Sequence, residues 1–121
     1  MTLTLTLKAL ADPTRLRIVN LLREGETCVG DLVTVLGVPQ PTASRHLAHL
    51  RRAGIVVARE RGRWCFYSLA PARAGFRRRL LDCLGSSLAE APELARDLAR
   101  ARALRRAGGC CPEDIGTRKC P

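Results

Sequence analysis

Three of the six cysteines in this 121-residue chain, Cys110, Cys111 and Cys120, fall in its last twelve residues, CCPEDIGTRKCP. The stretch is polar, carries proline and has no helical or strand period, so it reads as a loop or tail and not as core. Thiols in such a place suit metal or redox work better than structural cross-linking. Arg118 and Lys119 lie beside Cys120 and favour the thiolate, the form that attacks or ligates. The competing reading is a frayed end whose sulfurs are inert or joined by air oxidation.

A second set of residues could read nucleic acid. In PQPTASRHLAHLRRAG, plotted at about 100° per residue, Ala43, Leu47 and Leu50 lie on one side. Thr42, Arg45, His46 and His49 lie on the other, with Gln40 and Ser44 near the N-terminal end. Gln can pair with adenine through two hydrogen bonds and Arg with guanine, while Ser or Thr holds phosphate or base edges. Each good paired contact is worth about 1–3 kcal/mol of discrimination. Arg59, Arg61 and Arg63 place three guanidiniums within five residues at a turn, suited to phosphates or a minor groove. A solvated helix face and a charged, solubilising turn are the alternatives.

These groups need elements to hold them. DPTRLRIVNLLREG reads as a helix with Asp12 as N-cap, Pro13 in the first turn and Gly25 at its end; Leu16, Ile18, Val19 and Leu22 share its apolar face. Before it, TLTLTLK alternates like a strand, but KALADP continues as helix, and a short helix is expected. TCVGDLVTVLGV predicts a helix capped by Thr27 and stopped by Gly37, with Val29, Leu32, Val33 and Leu36 inward. The tight LGVPQ link to the next helix, which stops at Gly54, predicts a helix-turn-helix. Ile55–Glu60 and Trp64–Leu69 are β-rich and predict a hairpin turning at Gly62. PARAGFRRRLLDCLGSSLAEA carries an apolar stripe of Phe76, Leu80, Leu81, Leu84 and Leu88. Pro92 then starts a last helix that ends at Gly108–Gly109. The expected fold is mainly α with a β-hairpin wing, a winged helix-turn-helix over residues 1–107, followed by a cysteine-bearing tail over 108–121.

Composition narrows the partners. Apolar residues are 46% and aromatics 3%, so a Leu/Val/Ile/Ala core is expected, helped by a partner subunit. Against 21 Lys+Arg stand 11 Asp+Glu, a formal charge of +10 that favours a polyanion, with nucleic acid first. No apolar run approaches the ~20 residues of a membrane span. The start MTLTLTLKALADP lacks the features of an export signal, so a cytoplasmic protein is expected. A Ser-His-Asp set, a phosphate loop and any histidine outside the reading helix are missing, which argues against an enzyme.

KALADPTRLRIVNLL, ETCVGDL, QPTASRHLAHLRRAGIV and RGRWCFYSL together resemble the ArsR/SmtB family of metal- and metalloid-responsive repressors, over about residues 7 to 90. The resemblance implies a homodimeric winged helix, paired through its first and last core helices, that binds a double-stranded, palindromic operator and leaves it when an inducer binds. It also implies several possible inducer sites. A zinc site on the last core helix would need histidine, but the stretch offers only Asp82, Glu90 and Glu93; an oxygen-only set is a poor zinc site. Arsenic and cadmium sensors carry ELCVCDL on the third helix. Here Cys28 matches, Gly30 stands at the second thiol position and Val33 gives no third, so the site needs a cysteine from the tail.

Other arsenic-responsive members carry a vicinal cysteine pair and one more near the C-terminus, which Cys110, Cys111 and Cys120 match. Trivalent arsenic or antimony takes three sulfurs in a pyramid, and soft thiolates select such ions. Eight residues separate Cys111 from Cys120, enough to turn back, with Gly116 adding freedom. The resemblance therefore implies an As(III), Sb(III) or methylarsenite inducer and no required cofactor. Cys28 and Cys83 are lesser candidates: Cys83 suits either packing or a mixed site, and Cys65, between Trp64 and Phe66, suits packing. Cadmium or another soft metal, and a disulfide switch between Cys110 or Cys111 and Cys120, are the alternative triggers.

Overall fold

The computed structural model describes residues 2–62, 64–72 and 74–109. Helix α1 spans Thr2–Leu10 and α2 spans Pro13–Leu22. Asp12 caps α2 as expected: Oδ1 accepts from the backbone N–H groups of Thr14 (2.9 Å) and Arg15 (3.1 Å). The alternation at the start of the chain does not make a strand. It leaves Leu3, Leu5 and Leu7 exposed on α1 while Thr6 and Ala9 are buried.

The third helix differs in its start. Thr27–Cys28 forms a two-residue strand, β1, and the cap of α3 (Val29–Leu36) is Cys28, not Thr27. Cys28 Sγ accepts from the Asp31 N–H at 3.4 Å. Strand pairing explains the change: Thr27 pairs with Tyr67 and Cys28 with Phe66, which holds both in extended backbone. Gly37, at φ 68°, ends α3 in the left-handed region that glycine favours. Val35 is buried with Val29, Leu32 and Leu36, whereas Val33 is only partly covered.

Helix α4 spans Gln40–Arg52, and Ala43, Leu47 and Leu50 are all fully buried, as the helical plot requires. Strands β2 (Val56–Arg61) and β3 (Trp64–Leu69) form the antiparallel wing, from Val56↔Leu69 to Arg61↔Trp64. With β1 they make a three-stranded sheet in the order β1-β3-β2. Helix α5 is Gly75–Ser86; a 3₁₀ turn at Leu88–Glu90 leads to α6, Pro92–Arg106.

The core joins Ile18, Val19, Leu21 and Leu22 of α2 to α3, α4, the base of the wing and Leu98 of α6. α5 contributes no buried residue; Leu81 and Leu84 only lean on the core. The expected winged helix-turn-helix, mainly helical with a small wing, is therefore the observed architecture. Among the described residues, no helix is long and apolar enough to cross a membrane.

Candidate nucleic-acid interface and thiol site

The six helix residues expected to read DNA divide into two groups. Gln40, Thr42, Ser44 and Arg45 lie in the N-terminal half of α4 and are partly or fully exposed. They are pre-arranged: Gln40 Nε2 donates to Ser44 Oγ at 2.7 Å, and Arg45 Nη2 to Thr42 Oγ1 at 3.4 Å. Such i,i+3 and i,i+4 contacts limit the rotamers that each side chain must give up on binding.

His46 is engaged within the chain. His46 Nδ1 lies 3.3 Å from Arg15 Nη1 and 3.9 Å from Asp12 Oδ1, against the start of α2. Arginine only donates, so the Arg15 contact is a hydrogen bond only when Nδ1 is the unprotonated nitrogen of the ring. Burial first, then the charges of Arg15, Arg52 and His46, push the His49 imidazole below its ordinary range, with Asp12 opposing. The Asp12 carboxyl is itself held low. Burial alone would raise it, but the Arg15 N–H, the charges of His46 and Arg15, and the Thr14 N–H outweigh that.

The wing arginines divide too. Arg61 is exposed at the hairpin end next to Gly62 (φ 63°). Arg59 instead grips Glu26 with two bonds, Nε to Oε2 at 2.9 Å and Nη2 to Oε1 at 2.5 Å. Its guanidinium also lies 5.2 Å over the Phe66 ring. Arg63 lies outside the described residues.

The thiols scatter more widely. Cys83 is exposed on α5, its Sγ 3.8 Å from Ser87 Oγ, so it is not a core residue of this chain. Cys65 is a free, partly covered thiol packed on the core, which fits its packing role. Cys28 is 1% exposed, clustered with Trp64 and Phe66, and disulfide-bonded. Cys110, Cys111 and Cys120 lie outside the described residues.

A cavity of about 320 Å³ opens beside Cys28, lined also by Glu26, Asp31, Phe66, Arg105 and Gly109. The end of α6 is stitched to its rim. Arg102 makes two bonds to Glu24, at 3.0 and 2.6 Å, and Arg105 Nη2 donates to Thr27 Oγ1 at 3.5 Å. The Arg102 hydrogen bond, against the effect of burial, holds the Glu24 carboxyl below its usual range; Arg59 does the same for Glu26. Gly108 and Gly109, both at positive φ, then turn the chain away from the helix. A Cβ on Gly109 would stand 3.1 Å from Asp31 Oδ2, so the backbone passes close to the start of α3. Among the described residues, no three His, Cys, Asp or Glu side chains cluster as metal ligands.

The sequence analysis did not single out Glu24, Arg102 or Arg105, whose pairing spans 78 residues. The one signal was the position of Gly108–Gly109 directly before the cysteine pair.

The profile described as "Bacterial regulatory protein, arsR family" matches residues 12–57. The homodimeric winged helix-turn-helix DNA-binding domain of a possible ArsR-family transcriptional regulator from Mycobacterium bovis superposes with a TM-score of 0.60 at 30% identity, over 76% of this chain and 80% of that one. The chain belongs to the arsR family of bacterial regulatory proteins. This arsR-family chain is also similar to HlyU from Vibrio cholerae, with a TM-score of 0.63 and 30% identity, covering 74% of this chain and 91% of that one. The arsenical resistance operon repressor of Escherichia coli K12 is 49% identical over 76 residues, which are 62% of this chain. The match spans 65% of that repressor, just under two-thirds of its length. The family is one of bacterial regulatory proteins.

Proposed function

We propose that this chain is a homodimeric transcriptional repressor that binds double-stranded operator DNA and releases it when cysteine thiolates capture trivalent arsenic or antimony, inorganic or methylated. Gln40, Thr42, Ser44 and Arg45 would face base edges and phosphates, with Arg61 and Arg63 on the backbone. The exposed leucines of α1 and the half-covered stripe of α5 support pairing of two copies. The thiol chemistry needs reduced sulfurs, which a cytoplasmic protein would keep.

The observation that carries the reading is the exit of the cysteine-bearing tail. Gly109 directly precedes Cys110 and lies against Asp31, at the mouth of the cavity that Cys28 lines. Tail residues 108–121 therefore begin beside the thiol that the third helix supplies. Cys28 Sγ accepts from the Asp31 N–H at the start of α3, and Arg105 lines the same cavity. The cavity has room for an arsenic atom and the second and third sulfurs it needs. Cys28 is the soft donor in the described lining, and a sulfur donor suits a trivalent metalloid better than a hard, oxygen-seeking ion.

Inducer and DNA must favour different states of the dimer, with a difference of roughly 5.5 kcal/mol for near-complete release. Holding the tail on α3, the first helix of the helix-turn-helix, would supply contacts that only one state makes.

Duplexes selected by the wild type from a random library serve as probe in a shift assay. Arsenite is expected to release the wild type. A Cys110→Ser/Cys111→Ser/Cys120→Ser protein should hold DNA at the same arsenite concentration. Equal release of both proteins refutes the thiol reading.

The disulfide at Cys28 favours a second reading, in which oxidation closes a bond between Cys28 and a tail cysteine. Release by peroxide under conditions where arsenite has no effect would select it.

A further inference from the structure

We infer that Arg77 is the positioning residue that fixes the angle of the reading helix α4 relative to α1 and α5, and so sets which operator spacing the dimer accepts. The inference rests on the DNA-binding reading above and adds a residue to it.

Arg77 lies in the first turns of α5 and is partly buried. Its guanidinium makes three bonds to two other elements. Nη1 donates to the Gly54 carbonyl at 2.6 Å and Nη2 to the Ala53 carbonyl at 2.8 Å. Nε donates to Thr6 Oγ1 at 3.3 Å, and Thr6 is buried on α1.

The two carbonyls are the ones that follow α4. The helix stops in a left-handed turn: Gly54 has φ 74°, and the Ile55 N–H reaches back to the Leu50 carbonyl at 3.0 Å. Ala53 and Gly54 carbonyls then point away from the helix, and the planar fork of arginine takes both at once. A cation at this end also meets the negative pole of the helix.

The geometry makes this clasp a lever. α4 has 13 residues, or roughly 20 Å at about 1.5 Å per residue, so a tilt of about 10° at the clasp moves the far end by roughly 3 Å. Hydrogen bonds to base edges tolerate only a few tenths of an ångström. Gln40 and Ser44 lie at that far end. α1, with its exposed leucines, and α5, with its half-covered apolar stripe, lie on the other side of the clasp and are the helices through which two copies would pair. Arg77 is thus a direct polar link between the pairing helices and the end of the reading helix.

A purely structural role, as a helix cap, would lower stability and leave the spacing preference alone. The test therefore reads spacing. Wild type, Arg77→Gln and Arg77→Lys are titrated against the duplex enriched by the wild type, against versions with one or two base pairs inserted or removed between half-sites, and against unrelated duplex. Sedimentation and circular dichroism check pairing and folding.

Arg77→Gln is expected to lose at least tenfold in affinity for the enriched duplex, to keep wild-type affinity for unrelated duplex, and to show a flattened spacing profile. Arg77→Lys, which keeps the charge without the fork, should fall between. An unchanged profile in Arg77→Gln, or an equal loss on every duplex, overturns the assignment. If Arg77→Gln does not fold, Arg77→Lys decides by the same criterion, and a wild-type profile overturns it. A wild type that enriches no duplex at all refutes the DNA-binding reading, and the assignment falls with it.

Discussion

Arg17 and Asp97 stand 80 residues apart and close a two-bond ion pair between α2 and α6, Nε to Oδ2 at 2.7 Å and Nη2 to Oδ1 at 2.9 Å. The Asp97 side chain is 2% exposed and that of Arg17 is 23%. Arg17 Nη2 also donates to the Leu36 carbonyl, at the end of α3, at 3.3 Å. One guanidinium therefore joins the helix that leads to the tail to the helix that precedes the reading turn.

The pair is unequal, and its two halves should respond differently. Arg17→Ala leaves a buried carboxylate without its partner, at a cost of about 3–5 kcal/mol. Asp97→Asn leaves a guanidinium that still reaches water and the Leu36 carbonyl, so about 1–3 kcal/mol is expected. Urea unfolding of both variants measures the difference. Equal losses would show that burial of Asp97 is not what makes the pair matter.

Stability should rise with pH through the acid range. Asp12, Glu24 and Glu26 all have carboxyl pKa values lowered in the folded chain. Their contribution is complete above the unfolded values of about 4 and is lost as pH falls through the lower folded values. His49, also lowered, acts in the same direction: the unfolded chain takes up its proton first, so stability drains below about pH 6.5. Thermal melts from pH 7 to pH 2 should show a falling midpoint throughout, with a shallower acid limb in Glu24→Gln.

Asp12→Ala removes both cap bonds of α2 and the carboxylate that faces His46. A loss of about 1 kcal/mol is expected. Ser at the same position should recover much of it, since a hydroxyl can accept from the same N–H groups. Denaturant midpoints of the two variants test this.

Glu26 restrains one wing cation. Glu26→Gln weakens the hold on Arg59 and frees it for a phosphate. The slope of log affinity against log salt is expected to steepen by roughly 0.9 for each new contact. An unchanged slope would mean that Arg59 stays on Phe66 and takes no part in DNA binding.

Cys28→Ser should weaken arsenite binding at least tenfold, whereas Cys65→Ser and Cys83→Ser should not. Arsenic bound per reduced chain, counted by mass spectrometry, reads the result directly.

Neighbour-scale energies account for what could be read from the residues alone. The Asp12–Pro13 start of α2, the Gly37 stop, the inward trio Ala43, Leu47 and Leu50, and the hairpin at Gly62 each depend on contacts within a few residues. Caps, periodicity and turn preferences carry that information along the chain. The winged helix-turn-helix followed from their order.

Only the tertiary structure decided which polar groups are spoken for. Arg59 reaches Glu26 across 33 residues, Arg77 reaches Thr6 across 71 and Arg17 reaches Asp97 across 80. On the sequence each is one more arginine in a chain of +10. The choice of partner depends on how helices dock, and docking is set by the summed burial of apolar faces, not by any local preference. The same cause moved the α3 cap from Thr27 to Cys28, because pairing with β3 is a long-range event. It also brought Gly109 to Asp31, so that the tail starts beside the cysteine that caps the third helix.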